Sequence, residues 1–190
     1  MPKSPSRCPW PSDDALMIEY HDTEWGVPVH DDKKHFEFLI LDAFQAGLNW
    51  RTILHKRKNF KKAFSNFDYK KVAKYTDADF ERLMNDAGII RNRAKITATI
   101  NNAQRFLEVQ KEFGNFNEYI WQFTNHGTIF NKPKTLKDLQ ATSKESDAMS
   151  KDLKEHGFKF VGSIICYAYM QAAGMVNDHL TTCFCYKALR

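Results

Sequence analysis

At 190 residues the chain is long enough to bury a core of its own, and 43% hydrophobic with 27% charged residues is the balance of a globular protein, not a disordered or fibrous one. A net charge of +5 mildly favours a polyanionic partner without naming one. No stretch reaches the ~18 consecutive apolar residues of a membrane span, MPKSPSRCPW lacks the apolar segment of a signal peptide, and 4 cysteines do not suggest a disulfide scaffold, so a reducing cytoplasm is the expected setting.

In chain order, KKHFEFLILDAFQAG (33–47) carries Phe36, Phe38, Leu39, Ile40, Leu41 and Phe44, apolar on almost every side, as a buried helix would be. Gly47 is its expected stop, and Asn49 is placed to cap a following helix from Trp50. TDADFERLMNDAG (76–88) opens on a capping box, Thr76 with Asp79, and closes on Gly88. RAKITATINNAQRFLEVQKEF (93–113) carries Ile96, Ile100, Ala103, Phe106 and Leu107 on one stripe. A further helix is expected from Asn115 through Phe123.

NHGTIFNKPKTLKDLQAT (125–142) reads as a loop or extended excursion, long for a compact domain, and consistent with either a function or a simple insertion. ESDAMSKDLKEH, stopped by Gly157, and SIICYAYMQAA, stopped by Gly174, are the last two expected helices. No run alternates with period 2, and no segment repeats. The fold class is all-α, with residues 1–190 a single compact domain.

Two short segments carry candidate chemistry. GFKFVG (157–162) joins two helices with a glycine at each end. Such a turn lets backbone N–H groups approach a phosphate and aims the next helix N-terminus at it, with Lys159 adding a charge. Glycine-capped turns between helices are mostly structural, so the segment alone decides nothing. In VNDHLTTC (176–183), His179 and Cys183 would share a face if the segment were helical, supplying two of the four ligands that zinc takes.

Six segments together go further. RCPW (7–10), IEYHDTEWGVP (18–28), FQAGLNW (44–50), DAGIIRNRAKI (86–96), GFKFVGSIICY (157–167) and VNDHLTTCFCY (176–186) resemble, in order and spacing, the 3-methyladenine DNA glycosylase I family. The resemblance implies a helix–hairpin–helix glycosylase domain that hydrolytically removes N3-methyladenine from alkylated double-stranded DNA. It implies one structural zinc held by Cys8, His21, His179 and Cys183, clipping the N- and C-terminal segments together. Two thiolates and two neutral imidazoles close a tetrahedron and leave no position for a reactive water. Cys166 and Cys185 match no ligand position, and Cys166 reads as a small buried hydrophobe. His30 and His35 are expected to be solvated.

The resemblance also implies a pocket for a flipped base, with Trp10, Tyr20 and Trp50 as aromatic faces and Asp42 as the carboxylate. N3-methylated adenine carries delocalised positive charge, which such a set would match. The family usually has Glu at the position of Asp42, and a common Gly is Ala43 here. Asp is one methylene shorter, about 1.5 Å of reach, and a misplacement of about 1 Å can cost on the order of 10²-fold in rate. A lesion-binding protein that has lost excision is therefore the alternative.

Gly47 and Leu48 would stand at the gap left by the flipped nucleotide, and Gly157, Phe158, Lys159, Phe160, Val161 and Gly162 would grip the phosphate backbone. Arg91, Arg93 and Lys95 would either meet phosphate or form a solvated basic face. Asn177 stands where related glycosylases keep a catalytic Asp, with Asp178 beside it. A cationic base is already a good leaving group, so a monofunctional enzyme without lyase activity is expected. A monomer with no obligate protein partner and no membrane contact completes the expectation.

Overall fold

The computed structural model describes residues 6–190. The described residues fold as ten α-helices: α1 Ala15–Thr23, α2 Asp32–Gln45, α3 Trp50–Ala63, α4 Tyr69–Val72, α5 Asp77–Met84, α6 Arg93–Phe113, α7 Phe116–Trp121, α8 Lys144–Glu155, α9 Ser163–Ala172 and α10 Phe184–Ala188. None is long and apolar enough to cross a membrane.

The all-round apolar segment becomes α2, buried from His35 through Phe44 and packed against α3, α6, α7 and α9. Asp31 caps its start, its side chain accepting from the Lys34 amide at 2.8 Å. At its end Gly47 takes φ +76, a left-handed conformation that costs glycine little. Lys95 then corrects an expectation. It is only 7% exposed, and its ammonium donates to the carbonyls of Phe44 at 2.7 Å and Ala46 at 2.6 Å, capping α2 from α6. It is therefore not on a basic face. Arg91 and Arg93 are exposed, with the Arg93 guanidinium lying over the Phe80 ring.

Local signals translate well into helix starts. Asn49 accepts from the Thr52 amide, Asn115 from the Glu118 amide, and the Thr76–Asp79 capping box forms. The stop at Gly88 does not: α5 ends at Met84, and Asp86 accepts from the Gly88 amide at 2.7 Å in a separate turn. Residues 125–142 hold the departure from an all-α fold. Ile129–Phe130 (β1) pairs in parallel with Val176–Asn177 (β2). Two residues per strand are too few for period-2 alternation to show.

At the other end of α9, Gly174 takes φ +69, and a Cβ there would overlap the Val27 carbonyl carbon. Only glycine lets this turn seat against residues 27–28.

His35 also departs from expectation, whereas His30 is exposed as anticipated. His35 is 0% exposed because α2 is buried on all sides; it accepts from the Tyr169 hydroxyl at 2.6 Å and turns its other nitrogen to Asn117 Oδ1. Burial holds it down to about 4, against 6.5 for a free imidazole. The folded-state value is depressed, so the contribution to stability is present above about 6.5 and is lost as pH falls through 4. Chemical denaturation at pH 7 and pH 4 is expected to give wild type an acid loss larger than that of His35→Gln by on the order of 3 kcal/mol.

Candidate metal centre and adjoining cavity

The buried ligand atoms of Cys8, His21, His179 and Cys183 all lie within 4.8 Å of one another. His21 comes from α1, whose start is fixed by Asp14 accepting from the Leu16 and Met17 amides. His179 and Cys183 converge through a turn, Cys183 N–H donating to Leu180 O at 2.7 Å, and not along a helix face. A tetrahedral zinc with Zn–S about 2.3 Å and Zn–N about 2.0–2.1 Å sets S···N edges of about 3.6 Å and an N···N edge of about 3.4 Å. The edges here are 3.8 Å (Cys8 Sγ–His179 Nδ1), 3.6 Å (Cys183 Sγ–His21 Nε2), 3.7 Å (Cys183 Sγ–His179 Nδ1) and 3.2 Å between the imidazoles.

The outer hydrogen bonds explain why these atoms face each other. His21 Nδ1–H donates to Asp22 Oδ1 at 2.7 Å, and His179 Nε2–H donates to the Trp25 carbonyl at 2.9 Å. Each neutral ring therefore turns its lone pair toward the other, an arrangement that a cation between them relieves. The Leu180 amide donates to Cys8 Sγ at 3.3 Å, as thiolate ligands favour. The residues fit a closed Cys₂His₂ zinc site. Cys185 lies near, grouped with His21 and Asp22, but its thiol turns to the His21 carbonyl and Asp22 is held by Arg7 at 2.6–2.7 Å. Cys166 is buried and donates to Val161 O, in keeping with a packing role.

Against this cluster lies a cavity of about 320 Å³. Trp10 and Trp25 form one wall, and both pack on ligand rings: Trp10 on His21 at 5.3 Å and Trp25 on His179 at 4.6 Å between centroids. Tyr20 and Trp50 form another, 5.0 Å apart. Tyr20 and His21 are adjacent on α1, so about 100° of helix rotation sends one side chain to the cavity and the next to the cluster.

Asp42 closes the floor from α2, 2% exposed. Four buried side-chain nitrogen or oxygen atoms of the described residues have no hydrogen-bond partner, and three of them (Asp42 Oδ2, Trp10 Nε1 and Trp50 Nε1) belong to this lining. Orphaned polar atoms are costly, and their concentration at one cavity marks a place for a polar ligand. Burial pushes Asp42 well above the usual carboxylate range, only partly offset by the Arg57 cation, and favours the protonated acid; burial, followed by Asp42, likewise raises Tyr20.

A larger cleft, about 770 Å³, shares Tyr20, but Arg57, Lys34 and Glu24 of its lining are held in ion pairs. Arg57 pairs with Glu24 at 2.7 Å and Glu37 at 2.8 Å, and Lys34 with Glu24 at 2.8 Å.

The other anticipated residues divide. Leu48 is 44% exposed on the turn between α2 and α3, beside Gly47. In the turn between α8 and α9, Asn102 accepts from the Lys159 amide and donates to the Lys159 carbonyl, leaving the Lys159 side chain in solvent. Phe158 and Val161, however, are 2% and 1% exposed: they anchor the turn in the core, the Phe158 amide donating to Leu153 O and the Val161 carbonyl accepting from Ser150 Oγ, so neither meets a ligand with its side chain. Asn177 is a brace, Oδ1 accepting from the His179 amide and Nδ2 donating to Tyr186 O. Asp178 is saturated by Tyr167, Gln171 and Asn131.

Sequence reasoning missed several lining residues: Met17, Trp25, Gln45, Ala168, Gln171, and Leu136 with Leu139 from the 125–142 excursion. Trp25 lies inside IEYHDTEWGVP (18–28). The two leucines gave no local signal, standing in a loop that also carries Ile129 and Phe130.

The sequence pattern of the methyladenine glycosylase family matches residues 10–186. The chain is 49% identical over 180 residues to DNA-3-methyladenine glycosylase 1 of Escherichia coli (strain K12), covering 95% of this chain and 96% of that one. It is 44% identical over 180 residues to DNA-3-methyladenine glycosylase of Haemophilus influenzae, covering 95% and 97%. Among solved structures, a crystal structure of 3-methyladenine DNA glycosylase I superposes with a TM-score of 0.91 at 45% identity, covering 95% of this chain and 99% of that one. The Staphylococcus aureus 3-methyladenine DNA glycosylase I, whose structure addresses 3-methyladenine recognition, gives 0.91 at 34% identity, covering 94% and 95%. Agreement of this extent in sequence and in backbone places the chain in the methyladenine glycosylase family.

Proposed function

We propose that the protein is a monofunctional base-excision repair glycosylase that flips N3-methyladenine out of alkylated double-stranded DNA and hydrolyses its bond to the sugar. The observation that carries this reading is the cavity itself: aromatic faces of Tyr20, Trp50 and Trp10 around a buried carboxyl group whose Oδ2 has no partner. A cationic base stacks on such faces and supplies the charge that Asp42 lacks, so the Asp42 carboxylate is restored as the base enters.

In the reaction, a water oxygen bonds to C1′ while the C1′–N9 bond breaks. The bonding pair passes to the base, which leaves as neutral 3-methyladenine, and the water releases a proton to solvent. Because the leaving group starts as a cation, electrostatic matching and exclusion of solvent take the place of a strong general base. This agrees with Asn177 and Asp178 both being engaged in internal hydrogen bonds.

Cys8, His21, His179 and Cys183 would hold one zinc. When bound, the metal supplies a structural clip that fixes Trp10 and Trp25 at the cavity. Leu48 would fill the gap left by the flipped nucleotide, and the Gly157–Gly162 turn, with the Lys159 side chain, would hold phosphate in a helix–hairpin–helix grip.

The competing reading, a lesion-binding protein without excision, rests on the shortened carboxylate at Asp42. Incubating purified protein with methylated duplex DNA and separating released bases by chromatography decides between them. Free 3-methyladenine supports the glycosylase; retained binding with no released base supports the alternative.

A further inference from the structure

Resting on the proposed function, we infer that Gln171 reads the exocyclic amine of the flipped base and that Asp178 sets which end of its amide faces that base. Gln171 stands in the last turn of α9 and lines the cavity shared by Asp42 and Tyr20. Its Nε2 donates to Asp178 Oδ2 at 2.8 Å. Asp178 is 2% exposed; the same Oδ2 accepts from the Tyr167 hydroxyl at 2.8 Å, and Oδ1 accepts from Asn131 Nδ2 at 2.7 Å.

A carboxylate has no proton to donate, so the amide end that faces it must be the NH₂. Turning the amide over would lose that bond and set carbonyl oxygen against carboxylate oxygen. Oε1 accepts no hydrogen bond from the described residues and belongs to a side chain that lines the cavity. The cavity therefore receives a fixed acceptor. Main-chain contact holds it in place as well, since the Gly26 amide donates to Gln171 O at 2.9 Å.

A fixed acceptor sorts bases by what stands at position 6 of the purine. Adenine carries an amine there, a donor; guanine carries a carbonyl oxygen, a second acceptor. Oε1 thus favours 3-methyladenine and opposes 3-methylguanine. Asp178, which never touches the base, is a positioning residue. Replacing it with Asn allows the amide to turn and present its NH₂ instead.

The test measures release of 3-methyladenine and 3-methylguanine from the same methylated DNA, for wild type, Gln171→Leu and Asp178→Asn, with folding checked by circular dichroism. Gln171→Leu is expected to lower the 3-methyladenine to 3-methylguanine ratio by about tenfold, the effect of one lost hydrogen bond. Asp178→Asn is expected to lower the ratio in the same direction. A ratio unchanged in both variants overturns the inference even if total activity falls, because a merely structural role would lower both releases together.

If wild type releases neither base, the proposed function fails and the inference is decided by calorimetry with free 3-methyladenine. About tenfold weaker binding to Gln171→Leu than to wild type supports it. Equal affinity, or no binding to either protein, overturns it.

Discussion

Stripping the metal from the Cys8–His21–His179–Cys183 cluster is expected to cost on the order of 5 kcal/mol of stability, from the closure of a very long loop. Cys8 and His179 lie 171 positions apart, so one ion held between them would join nearly the whole chain into a ring. Domains of this kind are stable by only about 5–15 kcal/mol, and the loss would take a large part of that. Thermal unfolding with and without a strong chelator measures it, alongside elemental analysis giving one zinc per chain. His179→Ala should reproduce the chelated state, leaving His21 Nε2 and two sulfurs without their centre. Cys185→Ala should keep its metal, because its thiol turns to the His21 carbonyl. Equal melting of His179→Ala and wild type, with no zinc in either, would remove the clip from the description.

The second large effect is expected at Asp42, where stability and activity should move in opposite directions. Asp42→Leu removes a buried oxygen that has no partner, so the free protein should become more stable. The folded-state value of Asp42 is raised, so its contribution favours the fold at acid pH and is lost as pH rises through that value. The gain from Asp42→Leu should therefore widen from pH 4 toward neutrality. Release of 3-methyladenine should fall by on the order of 10²-fold or more in Asp42→Leu and in Asp42→Asn, since neither can pair with a cation. Asp42→Glu extends the carboxylate by about 1.5 Å and should raise or lower the rate by a measurable factor without altering the fold. Unchanged excision in Asp42→Asn would sink the role of this carboxylate.

Much of the helical framework was legible because its signals are local. The helix α6 runs from Arg93 to Phe113 as read, with Ile96, Ala103 and Phe106 of its stripe buried and Ile100 and Leu107 half-buried, and the caps at Asn49, Thr76 and Asn115 depend on side chains three residues away from the amides they meet. The short α1 carries only Met17, Tyr20 and His21 on its buried face, too little periodicity to announce a helix. The residues misread are those whose surroundings come from distant segments. Lys95 has the composition of a phosphate ligand, yet its partners are carbonyls about fifty positions earlier. His35 finds Tyr169 and Asn117, neither near it in sequence.

The cavity follows the same rule. Its aromatic faces and Asp42 could be placed through family resemblance, and the structure brings Trp10, Tyr20, Trp50 and Asp42 to one lining. Gln171, Leu136 and Leu139 could not be, because nothing local distinguishes a glutamine on a helix or two leucines in a loop. The tie is tertiary: Asp178 binds both Gln171 and Asn131, the residue following β1, and so connects the polar reader to the loop that carries the leucines.

The arrangement of indoles has an optical consequence. Three of the chain's 4 tryptophans, Trp10, Trp25 and Trp50, line the cavity, while Trp121 is buried elsewhere with its N–H donating to Val29 O. Ultraviolet emission from the unlabelled protein is thus dominated by fluorophores that an occupant would touch. Trp10 and Trp25 also sit against the imidazoles of the cluster, so the same signal senses whether the clip is closed. A stacked purine and a departing ion should each leave their own spectral mark, and both events can be timed without a dye.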